Sequence, residues 1–153
     1  MATQKLTGSA KARKSSARMS AVQVLYQMRL NHQDARTALK DYVAHRAGKK
    51  IDGDQLVTPD AEMLDVIVKG VEERWTDIDG IIAQTMTDGG RDKVEILLDC
   101  ILRAGIYELL AHGEIATGII INDYLSVTAG FYEGAETRII NGILDKAAKV
   151  IRA

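Results

Sequence analysis

The chain has 153 residues, of which 46% are apolar and 27% charged, so it is long enough to enclose one hydrophobic core. It has no run near the roughly 20 apolar residues that a transmembrane helix needs, and its basic amino-terminal residues are not followed by a secretion signal. The single cysteine, Cys100, excludes an internal disulfide, and we expect a cytoplasmic protein that is not associated with a membrane.

Charge is unevenly distributed along the chain. The net charge is −1, but residues 1–33 contain six basic residues and no acidic one, which leaves 14 basic and 21 acidic residues in the rest. A basic end on an acidic body attracts polyanions such as RNA, although a solvated tail has the same composition. Residues 1–12 are polar and aperiodic, so we expect a disordered basic arm, followed by one domain over 13–153.

Apolar spacing predicts two helices in the first third of the chain. The first could begin at a cap on Ser15 or Ser16, and the alternative is that the basic segment before them is also helical. Its buried stripe is expected to comprise Ala17, Ala21, Val24, Leu25 and Met28. The side chains expected to face solvent are Arg18, Gln23 and Arg29. A second, weaker pattern covers about Ala35–Arg46, with Leu39, Tyr42 and Val43 inward.

Two further helices are predicted after a loop over residues 47–57. Thr58 is the expected N-cap and Pro59 the first helical residue. The inward stripe is Leu64, Ile67, Val68, Val71 and Trp75. Helix is expected to restart at Thr76 and to end at Gly89-Gly90, with Ile78, Ile81, Ile82 and Met86 inward.

The segment from Arg91 to Ala111 is apolar around most of a helical circumference, which is typical of a helix at the centre of a bundle. Gly105 should allow another helix to approach closely, since glycine costs about 1 kcal/mol relative to alanine in a helix. The exposed strip is expected to be Glu95, Asp99, Arg103 and Glu108.

Two amphipathic helices are predicted between residues 114 and 152, joined near residues 132–134. Asn122 and Asn141 interrupt their apolar faces at matching places. We expect these amides to hydrogen-bond each other or nearby backbone where the helices cross, with Gly142 permitting close packing. The crossing would hold residues 131–138 beside Tyr26 and Arg18. The expected fold is all-α, a single compact bundle of about seven helices.

Catalytic chemistry is not expected. Glu108 and His112 are spaced i, i+4 and could share a metal, but they lack a third ligand. Gly89-Gly90 lacks the lysine and Ser/Thr of a phosphate loop, and no serine or cysteine has a nucleophile setting. The sequence therefore predicts a binding protein without a metal or cofactor.

RNA binding needs cations for phosphate and flat side chains for bases. The candidate cations are Lys11, Arg13, Lys14 and Arg18. The candidate flat side chains are Tyr26, Phe131 and Tyr132. The alternative for Tyr26 and Phe131 is a place in the core.

Four short motifs follow one another along the chain. They are Ala17-Arg18 with Ala21-Val22-Gln23-Val24-Leu25-Tyr26-Gln27, Leu102-Arg103 with Tyr107-Glu108-Leu109, Ile121-Asn122-Asp123, and Ile140-Asn141-Gly142-Ile143-Leu144-Asp145-Lys146. In this order and spacing the chain resembles the NusB family of bacterial transcription antitermination factors over nearly all of residues 13–152. Ser15 and Ser16 dilute the family's arginine cluster, and Ile139 stands where phenylalanine is common.

The resemblance implies an all-helical fold of two packed helical subdomains. It also implies binding of the boxA segment of nascent ribosomal RNA, as a heterodimer with the ribosomal protein NusE, in the RNA polymerase antitermination complex. The implied RNA-binding residues are Lys14, Arg18, Tyr26, Phe131 and Arg138. Glu95, with Asp99 one turn later, would face NusE.

Two other functions remain open from the sequence. One is the RNA-binding module of a ribosomal RNA cytosine methyltransferase, which would need a following cofactor-binding domain that the sequence up to Ala153 does not contain. The other is a self-associating helical interaction protein, since some members of the family dimerise. A homodimer is therefore possible.

Overall fold

The computed structural model describes residues 6–45, 50–51, 54–55, 57–86 and 94–152, and helices dominate these ranges. The helices are α1 (Ala10–Asn31), α2 (Ala35–His45), α3 (Ala61–Glu73), α4 (Trp75–Thr85), α5 (Ile96–Ala111), α6 (Thr117–Phe131) and α7 (Glu136–Ile151). A two-residue strand, β1 (Lys50–Ile51), pairs antiparallel with β2 (Asp54–Gln55). The prediction of an all-α fold is confirmed, and none of the described helices could cross a membrane.

The helices form two groups that share one core. Helices α1, α2 and α3 pack on one another, α5, α6 and α7 form the second group, and α4 lies against α5 and α7. The groups meet where α1 contacts α5 and α6 and where α3 contacts α5. The long helix α1 is therefore held from several sides, which fixes the direction in which its basic end projects.

Helix α1 begins in the basic segment, the earlier of the two starts that the sequence allows. Its N-cap is Ser9, whose Oγ accepts a hydrogen bond from the backbone N–H of Ala12 at 3.1 Å. The prediction of a cap at Ser15 or Ser16 is wrong, since both residues lie inside the helix. Part of the expected disordered arm is thus helical, while residues 1–5 lie outside the described ranges.

A short segment before α3 holds the start of α1 in place. Thr58 exchanges two hydrogen bonds with Thr7, each 2.9 Å long, one through its backbone N–H and one through its Oγ1. The backbone N–H of Asp60 donates to the carbonyl of Arg13 at 2.9 Å. Thr58 was the wrong choice for the cap of α3, because its hydroxyl is used in this contact. Asp60 is the cap, accepting from the N–H of Met63.

Helix α5 occupies the centre, as predicted. Every residue from Leu98 to Leu109 except Asp99 is buried. The expected exposed strip is wrong at two positions, since Arg103 is 5% and Glu108 0% exposed. The reason is that polar groups on neighbouring helices face them, and a periodicity pattern cannot distinguish such neighbours from water. Its predicted start at Arg91, like the predicted end of α4 at Gly89-Gly90, lies outside the described residues.

Two apolar residues expected inside are at the surface. Val43 is 59% exposed, because the short helix α2 packs through Ala35, Ala38, Leu39 and Tyr42. Trp75 is 36% exposed, because it begins α4 rather than continuing the stripe of α3. Neither side chain belongs to the buried core.

The predicted asparagine pair between α6 and α7 is wrong. Asn122 and Asn141 are both exposed, and a Cβ added at Gly142 would meet nothing within 4 Å. The close approach occurs instead at Gly105, as predicted, where an added Cβ would lie 2.9 Å from Cδ2 of Leu144. Helix α7 is therefore positioned by packing against α5 and α6 and not by a polar crossing of the two asparagines.

Replacement of Gly142 by alanine should stabilise the protein. The residue lies in the middle of α7 with open space around it, so alanine gains helix propensity of about 0.5–1 kcal/mol without a clash. Urea unfolding of Gly142→Ala measures this gain. Gly105→Ala is the matched comparison and should be destabilising, because its new methyl group meets Leu144. A loss of stability in Gly142→Ala would restore the predicted close packing at this position.

Candidate nucleic-acid interface

A buried ion pair joins α1 to α5 and α6. Arg18 is only 4% exposed and binds both oxygens of Glu108, with Nε–Oε2 at 2.7 Å and Nη2–Oε1 at 3.0 Å. Its Nη1 donates to Oδ2 of Asp123 at 2.6 Å. The prediction that Arg18 faces solvent is wrong, because carboxylates from two other helices surround its guanidinium.

Glu108 is the centre of this network. It also accepts a hydrogen bond from the hydroxyl of Tyr124 at 2.5 Å and lies 3.0 Å from Nδ1 of His112. The hydroxyl of Ser15 donates to the other oxygen of Asp123 at 2.9 Å. Glu108 thus has partners on both α1 and α6, and Asp123 has two on α1. Such partners are what a buried charge requires.

The network sets the protonation states of its members. Burial by itself would raise the pKa of Glu108, but hydrogen bonds from His112, Arg18 and Tyr124 outweigh it and lower that pKa. Burial and the charge of Glu108 raise the pKa of Tyr124 well above its ordinary value. Burial by itself would lower the pKa of Arg18, but the carboxylates of Glu108 and Asp123 outweigh it and raise that pKa. Arg18 is therefore a cation, Glu108 an anion and Tyr124 a neutral donor.

These protonation states predict acid sensitivity. Because the pKa of Glu108 is lower in the folded than in the unfolded protein, its contribution to stability is complete above the unfolded-state pKa of about 4.3. The contribution is lost as the pH falls through the folded-state pKa. Urea unfolding from pH 7 to pH 3 should show this decline, and Glu108→Gln should show a smaller one. An equal decline in both proteins would assign the acid sensitivity to other carboxylates.

An exposed groove runs between the first half of α1 and α6. It has a volume of about 880 Å³ and is lined by two exposed cations, Lys11 and Lys14. Its other lining residues are Ser15, Arg18, Glu114, Ile115, Ala116, Ile119, Asn122, Asp123 and Ser126. The amide of Asn122 therefore faces a basic groove rather than a partner on α7. The sequence did not reveal this groove, because α1 and α6 are about 100 residues apart.

A second groove of about 450 Å³ lies further along α1. It brings Tyr26 together with Phe131, as the sequence predicts. Both rings are half-buried against the core, so each serves packing and also presents a surface. The other lining residues are Gln23, Gln27, Leu30, Asn31, Tyr42 and Leu97. Arg138, in the first turn of α7, is exposed.

The two grooves follow one seam between α1 and α6. At 1.5 Å per residue, Lys14 and Tyr26 are about 18 Å apart along the axis of α1. Between them Met19 lies against Gly130, where an added Cβ would be 2.7 Å from the Met19 methyl carbon. Helix α1 thus holds the cations at one end of the seam and Tyr26 at the other, where Phe131 of α6 joins it.

The predicted partner-binding acids differ in their surroundings. Asp99 is bound within the protein, by Arg29 and by Nε of Arg103 at 2.7 Å. Glu95 is exposed at the N-cap of α5, where its carboxylate accepts a hydrogen bond from the hydroxyl of Tyr132. Glu95 is therefore the better placed of the two to meet another protein.

Sequence reasoning missed two arginine clusters. The Arg103 guanidinium lies 3.7 Å from the centroid of the Trp75 ring and pairs with Asp79 at 2.8 Å. Arg152 donates to the carbonyls of Leu109, His112 and Ile115 and to the hydroxyl of Thr117. It fastens the α5–α6 connection to the end of α7. Neither cluster has a sequence signal, since carbonyl acceptors and a ring face leave no motif.

The described residues contain no group of three or more His, Cys, Asp or Glu side chains placed to hold a metal ion. The structure is a helical bundle with a basic groove, an aromatic groove and an exposed acidic N-cap. These features define a class of protein, the helical factors that act by binding other macromolecules.

The chain belongs to the NusB family, whose model matches residues 15–149. The transcription antitermination protein NusB of Novosphingobium aromaticivorans is 35% identical over 148 residues, which cover 96% of this chain and 98% of that protein. The NusB protein of Brucella ovis is 36% identical over 137 residues, covering 89% and 80%. The chain is accordingly a transcription antitermination factor and not an enzyme.

Solved structures share the fold. Thermotoga maritima NusB has a TM-score of 0.75 at 18% identity, with 95% of this chain and 93% of that chain covered. NusB in a crystal structure with NusE and double-stranded RNA has a TM-score of 0.76 at 22% identity, covering 93% and 99%. The implied arrangement of NusB-like helices is therefore confirmed.

Proposed function

We propose that this chain binds the boxA segment of nascent ribosomal RNA as a heterodimer with NusE, within the RNA polymerase antitermination complex of the bacterial cytoplasm. The observation that carries the proposal is the groove bearing Lys11 and Lys14, held rigidly by the buried pair of Arg18 and Glu108. A solved neighbour of the same fold that contains NusE and RNA supports it.

Phosphate binding falls to the exposed cations. Lys11 and Lys14 are exposed and can pair with phosphates, and Arg13, whose Nε donates to the carbonyl of Thr58 at 3.3 Å, is a further cation at the same end of α1. The charge of Arg18 is already balanced by Glu108 and Asp123. Arg18 therefore acts as a positioning residue that fixes α1 against α6.

Base recognition falls to the other end of the seam. Tyr26 and Phe131 offer ring surfaces on which unpaired bases can stack. Tyr132 follows α6 directly and Arg138 lies in the first turn of α7, and both are further candidates for contact with RNA. Because phosphate contacts carry no sequence information, preference for boxA depends on this end.

The protein partner binds the acidic body of the chain, away from its basic amino-terminal segment. Outside residues 1–33 the chain has 21 acidic and 14 basic residues, which favours a basic partner such as a ribosomal protein. Glu95 is the exposed acid at the start of α5, and Asp99, one turn later, is paired with Arg29 and Arg103.

The proposal is tested by titrating a fluorescent boxA RNA with the protein, alone and with NusE, at moderate salt. Tighter binding to boxA than to a scrambled RNA, with a further gain from NusE, is the expected result. Equal affinity for both RNAs would remove sequence-specific recognition. Sedimentation of the protein alone over a range of concentrations shows separately whether it also forms a homodimer.

Salt dependence identifies the phosphate contacts. For Lys14→Ala, we expect the slope of log K against log salt to become shallower by about 0.7, the value for one contact to single-stranded nucleic acid. Lys149→Ala is the matched control, since this exposed lysine lies on α7 and pairs with Asp145. It should leave the slope unchanged. Equal slopes for Lys14→Ala and the wild type would exclude Lys14 from the phosphate contacts.

A further inference from the structure

A single side-chain contact connects the expected RNA-binding face to the expected partner-binding face. The hydroxyl of Tyr132, the C-cap of α6, donates to the carboxylate of Glu95, the N-cap of α5. The next residue after α6 and the residue before α5 are thereby joined, although they are 37 positions apart.

The contact stands at the rim of the aromatic groove. Phe131 precedes Tyr132 and lines the groove, as does Leu97, two residues after Glu95. While the contact is made, the Tyr132 ring is held against the start of α5. It is then not free to cover a base stacked on Phe131.

Glu95 is open to competition for its carboxylate. Its side chain makes no hydrogen bond to the first turn of its own helix, and within the described ranges it pairs with no lysine or arginine. Asp99, one turn later, has two arginine partners. An arginine from a basic protein would bind both oxygens of Glu95 as a bidentate pair and displace a single phenol.

We propose that the Tyr132–Glu95 contact couples the two binding events. A partner arginine that takes Glu95 releases the Tyr132 ring toward RNA, and RNA that engages the ring frees Glu95 for the partner. The coupling is reciprocal, as linkage requires. This mechanism rests on the proposed function, since it needs both an RNA and a basic partner.

The first test compares boxA RNA affinity of the wild type and Tyr132→Phe, each with and without NusE. The variant keeps the ring and loses the hydroxyl. Without NusE it should bind RNA about 2- to 10-fold more tightly than the wild type, the range for one such hydrogen bond, and its gain from NusE should shrink by the same factor. Tyr132→Ala, which lacks the ring, should bind more weakly with and without NusE.

Two outcomes separate the coupling from the proposed function. If the wild type binds no RNA in either condition, both the coupling and the proposed function fail. If the wild type binds boxA with a gain from NusE, and Tyr132→Phe has the same affinity and the same gain, only the coupling fails.

A second test observes the ring directly. The chain has five tyrosines, so fluorotyrosine labelling gives few ¹⁹F resonances, and the one missing from Tyr132→Phe belongs to Tyr132. Addition of NusE without RNA should shift that resonance in the wild type. In Glu95→Ala the resonance should already lie at the shifted position before NusE is added. A Tyr132 resonance that NusE does not move would overturn the coupling.

Discussion

Replacement of Glu108 by alanine is expected to lower the free energy of unfolding by about 3–5 kcal/mol, the cost of removing one partner from a buried ion pair. The carboxylate is fully buried and accepts hydrogen bonds from Arg18 and Tyr124. Its loss leaves the guanidinium with Asp123 as its remaining anion and the phenol without an acceptor. Urea unfolding followed by circular dichroism measures the effect.

Two controls identify the cause of that loss. Glu133→Ala, on the exposed α6–α7 connection, should change stability by no more than about 0.5 kcal/mol. The double variant Arg18→Met with Glu108→Met should be more stable than Glu108→Ala, since no arginine is then left without Glu108. If the double variant is as unstable as the sum of both single changes, the cost belongs to packing and not to an unpaired charge.

Replacement of Gly70 by alanine is expected to destabilise the protein by about 3 kcal/mol, at the upper end of overpacking effects. A Cβ at this position would lie 2.1 Å from Cζ and 2.4 Å from the hydroxyl oxygen of Tyr107. Tyr107 is buried between α3 and α5, so its ring cannot move away without opening the contact between these helices.

The matched control for Gly70→Ala is Gly80→Ala. Gly80 lies inside α4, and an added Cβ meets nothing within 4 Å, so alanine should stabilise by about 0.5–1 kcal/mol. Tyr107→Leu combined with Gly70→Ala should cost less than the two single changes together, because the shorter side chain leaves room for the methyl group. Additive losses would indicate that Gly70 is needed for another reason.

Each prediction involves one residue that carried the family resemblance, Glu108 in the first and Tyr107, the neighbour of Gly70, in the second. Tyr107 and Glu108 belong to one short motif, and each faces a different neighbour: Tyr107 packs against Gly70, and Glu108 pairs with Arg18. The motif thus joins α5 to α3 and to α1. Arg18, which the resemblance assigns to RNA, also belongs to this framework and supports the RNA-binding edge from beneath.

Much of the fold could be predicted from local pattern. Apolar spacing located all seven described helices to within a few residues at most of their ends, and the nearly all-round apolar segment correctly indicated a central α5. Gly105 was correctly interpreted as a close approach. These features depend on residues near one another in sequence, where helical periodicity acts.

The errors share one physical origin. Arg18, Arg103 and Glu108 were assigned to solvent because a charged residue at a helix boundary usually meets water. The structure buries them, because opposite charges on other helices replace that water. The prediction of an Asn122–Asn141 pair is wrong for the converse reason. Both amides are exposed, and water supplies the hydrogen bonds that a buried pair would have made.

By itself, the sequence determined the helical class, the family and the basic amino-terminal end, all of which follow from composition, period and motif order. Only the tertiary structure decided which charges are available. It showed Lys11 and Lys14 on an open groove, Arg18 neutralised in the core and Tyr132 held by Glu95. These outcomes depend on contacts between residues far apart in the sequence, such as Arg18 and Asp123 at 105 positions, and their free energies depend on burial and charge pairing that no local pattern records.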